Sequence, residues 1–404
     1  GKWEIFGLGG LSSIDFLGDD IEEDDLFANP NEDAFVENSL GLIGLSNTIR
    51  LNKSTYLKTS IGANTNYSDF SQDNLIRNSM GGPVVNKYRA TESEQRENRY
   101  TISSTLSKKF NAQWNLTAGI LNETYDLSID TKDADDRNLV DDGIDGNNDG
   151  IPDVLPQVLF VEDQYNLSQA FAQAEYNIND QLSFTFGLHT QYLDYTEDFI
   201  AEPRFGLSWQ MKPNQRWSVG YGLHSQVVPG PVLFYTAFNP TTERFTQTNN
   251  DLDFIKSHHF VLAYDRNFGS DWRLKAETYY QQLFDVPVES TASSYSVINE
   301  GADFGFNEKG NLVNEGTGFN YGLELTLEKF FSKGYYALIT TSVFESRYEG
   351  SDGIERNTAF NNNYVANVLL GKEWKFGKNG KNAWTFDTRF TTAGGNPFTP
   401  IDLD

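Results

Sequence analysis

The stretch Gln181-Leu182-Ser183-Phe184-Thr185-Phe186-Gly187-Leu188-His189-Thr190-Gln191-Tyr192 decides the fold. Leu182, Phe184, Phe186, Leu188 and Tyr192 fall on one side of an extended chain, and Ser183, Thr185, Gly187, His189 and Gln191 on the other. Side chains alternate faces with period two in a strand, so this segment has one greasy and one wet face. The pattern recurs downstream. Trp217, Val219, Tyr221 and Leu223 oppose Ser218, Gly220, Gly222, His224 and Gln226, and Phe319, Tyr321, Leu323, Leu325 and Leu327 oppose Asn320, Glu324, Thr326 and Glu328. No segment carries a sustained helical stripe, so the chain reads as all-β.

The connections between such segments alternate as well. Short turns are expected near 51–54, 111–113, 177–180, 212–214, 268–270, 331–333 and 377–382. Long polar connections are expected near 18–33, 71–87, 132–156, 228–255, 289–316 and 348–359, with one short exception at 198–201. This rhythm predicts about fifteen antiparallel strands, with short turns on one rim and long loops on the other, as in outer-membrane barrels. Strands of about 15 residues span some 50 Å, longer than a soluble sandwich needs. Trp3, Trp114, Trp217, Trp272 and Trp384 lie beside short turns or the start of the sequence, and Trp209 and Trp374 near strand ends, where interfacial rings sit half wet. The alternation predicts that Phe184, Phe186, Tyr221, Leu223, Leu323 and Leu325 face lipid and that His189, Gln226, Glu324 and Arg389 face the interior.

Composition narrows the function classes. The 404 residues carry 31 Lys+Arg against 57 Asp+Glu, a net charge of −26, which repels nucleic acid and anionic lipid alike. Mean hydropathy is −0.52 and no long apolar run exists, so transmembrane helices are excluded while a transmembrane barrel is not. There are 7 Trp, 20 Tyr and 30 Phe but no Cys, which removes disulfides, thiol catalysis and zinc-thiolate sites. Neither a nucleophile elbow nor a phosphate-cradling glycine loop is present, so the sequence does not read as an enzyme. The first residues, Gly1 to Phe6, already read as a strand without a leader pattern, and the last read as loop, so an interior piece of a longer chain is expected.

Particular stretches resemble the barrel of TonB-dependent receptors of the Bacteroidetes type. They are Trp3-Glu4-Ile5-Phe6-Gly7-Leu8-Gly9-Gly10, Glu202-Pro203-Arg204-Phe205-Gly206-Leu207, Lys256-Ser257-His258-His259-Phe260, Gly318-Phe319-Asn320-Tyr321-Gly322-Leu323-Glu324, the run from Gly350 to Asn361, and Phe398-Thr399-Pro400. The resemblance implies a 22-stranded barrel around a plug. Residues 1–404 would then form a partial barrel, roughly its fifth to nineteenth strands, with the plug absent from this segment. It also implies an outer-membrane location and TonB-coupled import of a scarce solute such as a siderophore, oligosaccharide or peptide. The TonB complex, reached through a plug outside these residues, lipopolysaccharide and a surface lipoprotein are the partners it suggests. A passive porin, an adhesion or assembly platform and a barrel hydrolase are the alternatives.

Four constellations could carry chemistry. In the long acidic extracellular loop, at about 132–156, Asp145, Asn147, Asp149 and Asp153 stand at positions 1, 3, 5 and 9 of a calcium loop. Ile151 is placed to offer its carbonyl at position 7. Pro156 stands where an EF-hand needs its bidentate Glu, so the pattern suggests a weaker, loop-ordering Ca²⁺ site; a solvated acidic tip is the alternative. A second acidic run, Asp19 to Asp25, reads as a solvated loop or a cation bridge to lipopolysaccharide. On the polar strand faces, Glu202 with Arg204, Arg273 and Lys275 with Glu277, and Asp387 with Arg389 read as lumen charges that contact a plug and line a solute path, or as structural ion pairs. The loop from Pro229 to Pro240 carries Phe234, Tyr235 and Phe238, which either stack on a substrate or pack against neighbouring loops. Of the histidines, His258 and His259 are adjacent on a strand and point to opposite faces, so a joint metal site between those two is not expected.

Overall fold

The computed structural model describes residues 1–20, 29–79, 82–134, 146, 151–239, 244–302 and 309–395. The wall opens with β1 (Lys2–Phe16), β2 (Glu32–Asn52), β3 (Thr55–Arg77), β4 (Val84–Lys109) and β5 (Trp114–Asp133). It continues with β6 (Gln157–Asn177), β7 (Leu182–Leu193), β8 (Asp198–Lys212) and β9 (Gln215–Gln226). A one-turn helix α1 (Gly230–Leu233) and a separate hairpin of β10 (Thr236–Asn239) and β11 (Arg244–Gln247) interrupt it. The wall resumes with β12 (Ile255–Phe268), β13 (Trp272–Glu289), β14 (Leu312–Ser332) and β15 (Tyr335–Glu349). The short β16 (Glu355–Asn357) pairs only with β15, and β17 (Tyr364–Phe376) and β18 (Asn382–Ala393) complete the sheet.

Each wall strand pairs antiparallel with the next, giving a fifteen-strand path from β1 to β18 with β16 beside it. This is an all-β, sequentially wound barrel wall. Among the described residues its edges, β1 and β18, do not pair with each other, so the wall is open. The alternation works as the sequence predicts: Phe186, Leu323 and Leu325 are exposed on the outer face, as are Trp384, Phe386 and Phe390 on β18. Exposed apolar surface of this extent is what a lipid-facing band requires. Among the described residues no helix is long and apolar enough to cross a membrane.

Three expectations change. The short connection expected at 198–201 lies within β8, and the turn falls at 194–197 instead. Residues 71–87 were expected as a loop, but β3 runs to Arg77 and β4 starts at Val84, the latter 26 residues long. At roughly 3.3 Å per residue such a strand outruns a bilayer core of about 30 Å. Its distal end therefore has no lipid-facing apolar residues to betray it. Cross-strand charge holds it instead: Asp73 accepts from Arg89 Nε at 2.6 Å and pairs with Lys87 at 2.9 Å. Leu223, expected to face lipid, packs partly buried against the internal core. The β8–β9 ladder ends at Arg204 and Gly222, while β9 stays paired with β12 as far as Gln226.

Candidate functional site on the inner wall

The connection after β9 creates the internal core. It leaves the rim, forms α1, and lays Val232, Leu233 and Phe234 against Leu127, Ile129, Leu159, Val161, Tyr165 and Leu167 on the inner faces of β5 and β6. Phe234 is fully buried, its ring centroid 5.6 Å from Tyr165 and 4.6 Å from Tyr195. Phe234 is thus internal core and not an exposed stacking ring, and Tyr235 packs partly buried at its margin. The side chain of Phe238 lies outside the described residues. The reason is apolar demand on the inner wall, where Leu159, Val161, Tyr165 and Leu167 share the face of Gln169 and need a cover.

Asn249 locks this fold-back. Fully buried, it donates to the carbonyls of Val232 (2.9 Å) and Lys309 (2.8 Å) and accepts from the Leu312 amide (3.1 Å). One side chain thereby ties the loop after β9 to the loop after β13. That second loop is tied to the one after β15, because Ser351 Oγ donates to Thr291 O and Tyr348 OH to Ser294 O. In these loops burial pushes the Tyr195 hydroxyl up, and burial together with neighbouring Asp198 holds the Asp253 carboxyl above its usual range.

Beneath the apolar cover runs a belt of polar contacts across β3 to β9. Its hub is Glu202, whose side chain is only 1% exposed. Oε2 accepts from His189 Nδ1 at 2.6 Å and Arg204 Nη2 at 2.9 Å. Oε1 accepts from the Ser225 amide and hydroxyl, both at 2.6 Å, and from Gln191 Nε2 at 3.1 Å. His189 Nε2 meets Gln169 Oε1 at 3.1 Å, and Gln169 donates on to Glu123. Arg99 pairs with Glu123 at 3.5 Å and donates to Asn64. A buried carboxylate is tolerated here because donors occupy both oxygens.

The remaining wall charges pair partly otherwise than by sequence spacing. Lys275 does meet Glu277, at 2.7 Å. Arg273 instead pairs with Asp265 on β12, through Nε at 3.1 Å. Asp387 and Arg389 do not pair: Asp387 accepts from Tyr336 OH at 2.7 Å, and Arg389 donates to Asn367. Arg273 and Arg389 take their partners from the neighbouring strand, and Asp387 reaches Tyr336 on β15 across Gly371 of β17. Between the inner wall and Pro229–Pro231 lies a cavity of about 570 Å³. Asn38, Asn66, Gln95 and Glu97 line it on the polar side, and Leu127 and Ile129 on the apolar side.

Of the calcium pattern, Asp145, Asn147 and Asp149 lie outside the described residues. Asp153 is described, and its Oδ2 accepts from the Gly146 amide at 3.0 Å; Ile151 is described too. Among the described residues no group of three or more potential ligands of the His, Cys, Asp and Glu types is gathered as a metal site.

A family model described as TonB dependent receptor-like, beta-barrel, matches residues 2–402. The chain belongs to this family. Members are outer-membrane receptors and transporters, not enzymes, and the wall described above is their barrel. Solved structures agree in fold. The RagAB peptide transporter is similar with a TM-score of 0.58 at 14% identity, over 89% of this chain and 48% of that one. The ferric yersiniabactin uptake receptor FyuA from Yersinia pestis gives 0.61 at 11% identity, over 96% and 60%. BauA, the ferric preacinetobactin receptor from Acinetobacter baumannii, gives 0.56 at 10%, over 91% and 54%. The chain thus spans about half the length of the TonB-dependent receptors it resembles. No curated protein sequence matches it.

Within this TonB-dependent barrel, Glu202 and Arg204 belong to the hub, and Arg273, Lys275 and Glu277 to the turn-side half of the inner wall. Sequence reading missed Ser225, Gln169, Asn249 and His259. Ser225 has the apolar parity of β9 and Asn249 lies in a connection, so neither carries a strand signal, and register is needed to show what Gln169 and His259 meet.

Proposed function

We propose that this chain forms the wall of a TonB-coupled importer that carries a scarce solute across the outer membrane. The supporting observation is the family match across the wall, joined to an inner face that combines a polar belt with a covered cavity. The amides of Asn38, Asn66 and Gln95 and the charges of Arg96 and Glu97 opposite Leu127 and Ile129 suit a polar chain with apolar side groups and charged ends, such as a short peptide. Energy coupling would act through a plug outside these residues, and the loops tied by Asn249 and Ser351 offer a platform for a surface lipoprotein. The platform also favours the second reading, a surface assembly protein whose transport role is secondary. Uptake of labelled oligopeptides by cells carrying the full-length protein, with and without TonB, separates these readings. TonB-dependent uptake supports the importer. Uptake unchanged without TonB points to a porin, and no uptake to the platform.

The acidic loop adds a structural Ca²⁺ to this proposal, through the hard oxygens of Asp145, Asn147, Asp149 and Asp153 at alternate positions and the Ile151 carbonyl. Limited proteolysis between Lys132 and Pro156 should accelerate in excess chelator; unchanged cleavage would overturn it.

A further inference from the structure

The inner wall holds a second arrangement that the polar belt does not use. His224 on β9 and His259 on β12 meet with ring centroids 4.5 Å apart and planes inclined by 42°. Gly222 makes the meeting possible. It lies directly opposite His259 in the β9–β12 ladder, and a Cβ there would stand 2.5 Å from His224 Nε2. A side chain at 222 would displace the His224 ring from this position.

The other two histidines differ. His189 has both ring nitrogens committed, to Glu202 and Gln169. His258 faces outward, 3.2 Å from the Tyr221 hydroxyl and stacked on Phe284. Among the described residues, neither the His224 nor the His259 ring has a hydrogen-bond partner. Both rings are only half-buried, so their nitrogens stay within reach of a solute. Beside them Ser257, the register partner of His224, has a buried Oγ with no hydrogen-bond partner. Unused lone pairs of two imidazoles and a hydroxyl therefore gather on one patch. The belt carboxylate nearby in the fold, Glu202, is saturated by its own donors and is not free to join them.

We propose that His224 and His259 bind a divalent late first-row transition-metal cation on the inner wall. Neutral imidazole donates a nitrogen lone pair that Zn²⁺, Ni²⁺ and Cu²⁺ accept well, whereas Ca²⁺ and Mg²⁺ favour oxygen sets. Two rings on adjacent strands supply two ligands, and Ser257 and water complete the shell. Gly222 acts as a positioning residue, because it clears the space in which the rings converge. The inference does not depend on the import reading, since binding is measured on the purified protein.

The test is equilibrium titration of tag-free full-length protein in detergent with Zn²⁺ and, separately, Ni²⁺. His224→Ala and His259→Ala should each weaken binding at least about tenfold, the scale seen when even a partner of a metal ligand is lost. His258→Ala should bind like the parent. Gly222→Ala keeps both imidazoles yet should also weaken binding, and Cu²⁺ added to the parent should show nitrogen hyperfine splitting from two imidazoles. Each variant must keep the parent's heat-modifiable migration on gels; should His224→Ala fail this, His259→Asn decides. Parent-like affinity in folded His259 variants, or equal weakening by His258→Ala, would overturn the site.

Discussion

Replacing Glu202 tests whether the belt is a set of satisfied hydrogen bonds or a mere accumulation of polar side chains. In Glu202→Gln the amide oxygen can keep the Oε1 position, with the Ser225 amide, the Ser225 hydroxyl and Gln191 still bonded to it. The new NH₂ then faces His189 Nδ1, which can accept it as the neutral tautomer while Nε2–H goes on donating to Gln169 Oε1. Only Arg204 loses its acceptor, and its side chain is 42% exposed, so water replaces much of the bond. The loss should be no more than one charge-assisted hydrogen bond, about 1.5–3 kcal/mol. Glu202→Ala strands the Ser225 amide and removes the partner of His189 Nδ1, while Gln191 keeps Ser225 Oγ, and breaking a buried ionic site in this way costs about 3–5 kcal/mol. Urea unfolding of the detergent-folded barrel, followed by tryptophan fluorescence and by gel migration, should rank parent above Gln above Ala. Equal losses in the two variants, or an Ala variant as stable as the parent, would refute the donor-by-donor account.

Three further outcomes are expected. Leu325→Arg places charge on the exposed outer face and should cost about 2–4 kcal/mol if Leu325 lies at bilayer mid-depth, lowering assembled barrel in the membrane fraction, whereas Thr326→Arg on the inner face should assemble nearly normally. Phe234→Ala empties a fully buried site and should cost the internal core about 3–5 kcal/mol, read as faster protease cleavage within 228–254 while the wall stays resistant. In the turn before β13, hydrogen bonds from Lys329 and Ser332 hold the Asp271 carboxyl down, from an ordinary 3.8 to about 2. A depressed carboxylate stabilises fully above its unfolded value and loses that effect as pH falls through its folded value. The stability gap between parent and Asp271→Asn should therefore hold from neutral pH to about 4 and close towards 2, as followed by unfolding midpoints across that range.

The wall was legible because lipid enforces a rule that sequence displays directly: every second residue of β7, β9 and β14 must be apolar where the bilayer touches it. Where the rule lapses, so does legibility. Above the bilayer β3 and β4 lose the alternation, with Leu75–Ile76 and Val84–Val85 as adjacent apolar pairs among polar residues, and ladder bonds and the Asp73–Arg89 contact carry them through a stretch that reads as loop. The internal core had a signal that parity alone made hard to use. Leu159, Val161, Tyr165 and Leu167 occupy the inner face, and apolar residues on an inner wall announce a lid for which Phe234 is the complement.

The pairings of the site are another matter, because they depend on register across connections whose length the alternation does not constrain. Nothing in the spacing of Arg273 and Glu277 tells that Asp265 lies closer. His224 and His259 lie on opposite sides of the 227–254 connection, and only the ladder that sets Gly222 against His259 brings them together. Parity says which face a residue takes, and register says which residue it meets there. The lipid-facing band needs only the first. The Glu202 hub and the His224–His259 patch need both, and a one-residue slip of β12 against β9 would turn His259 to the outer face and bring His258 to the inner wall in its place, at a different distance from His224.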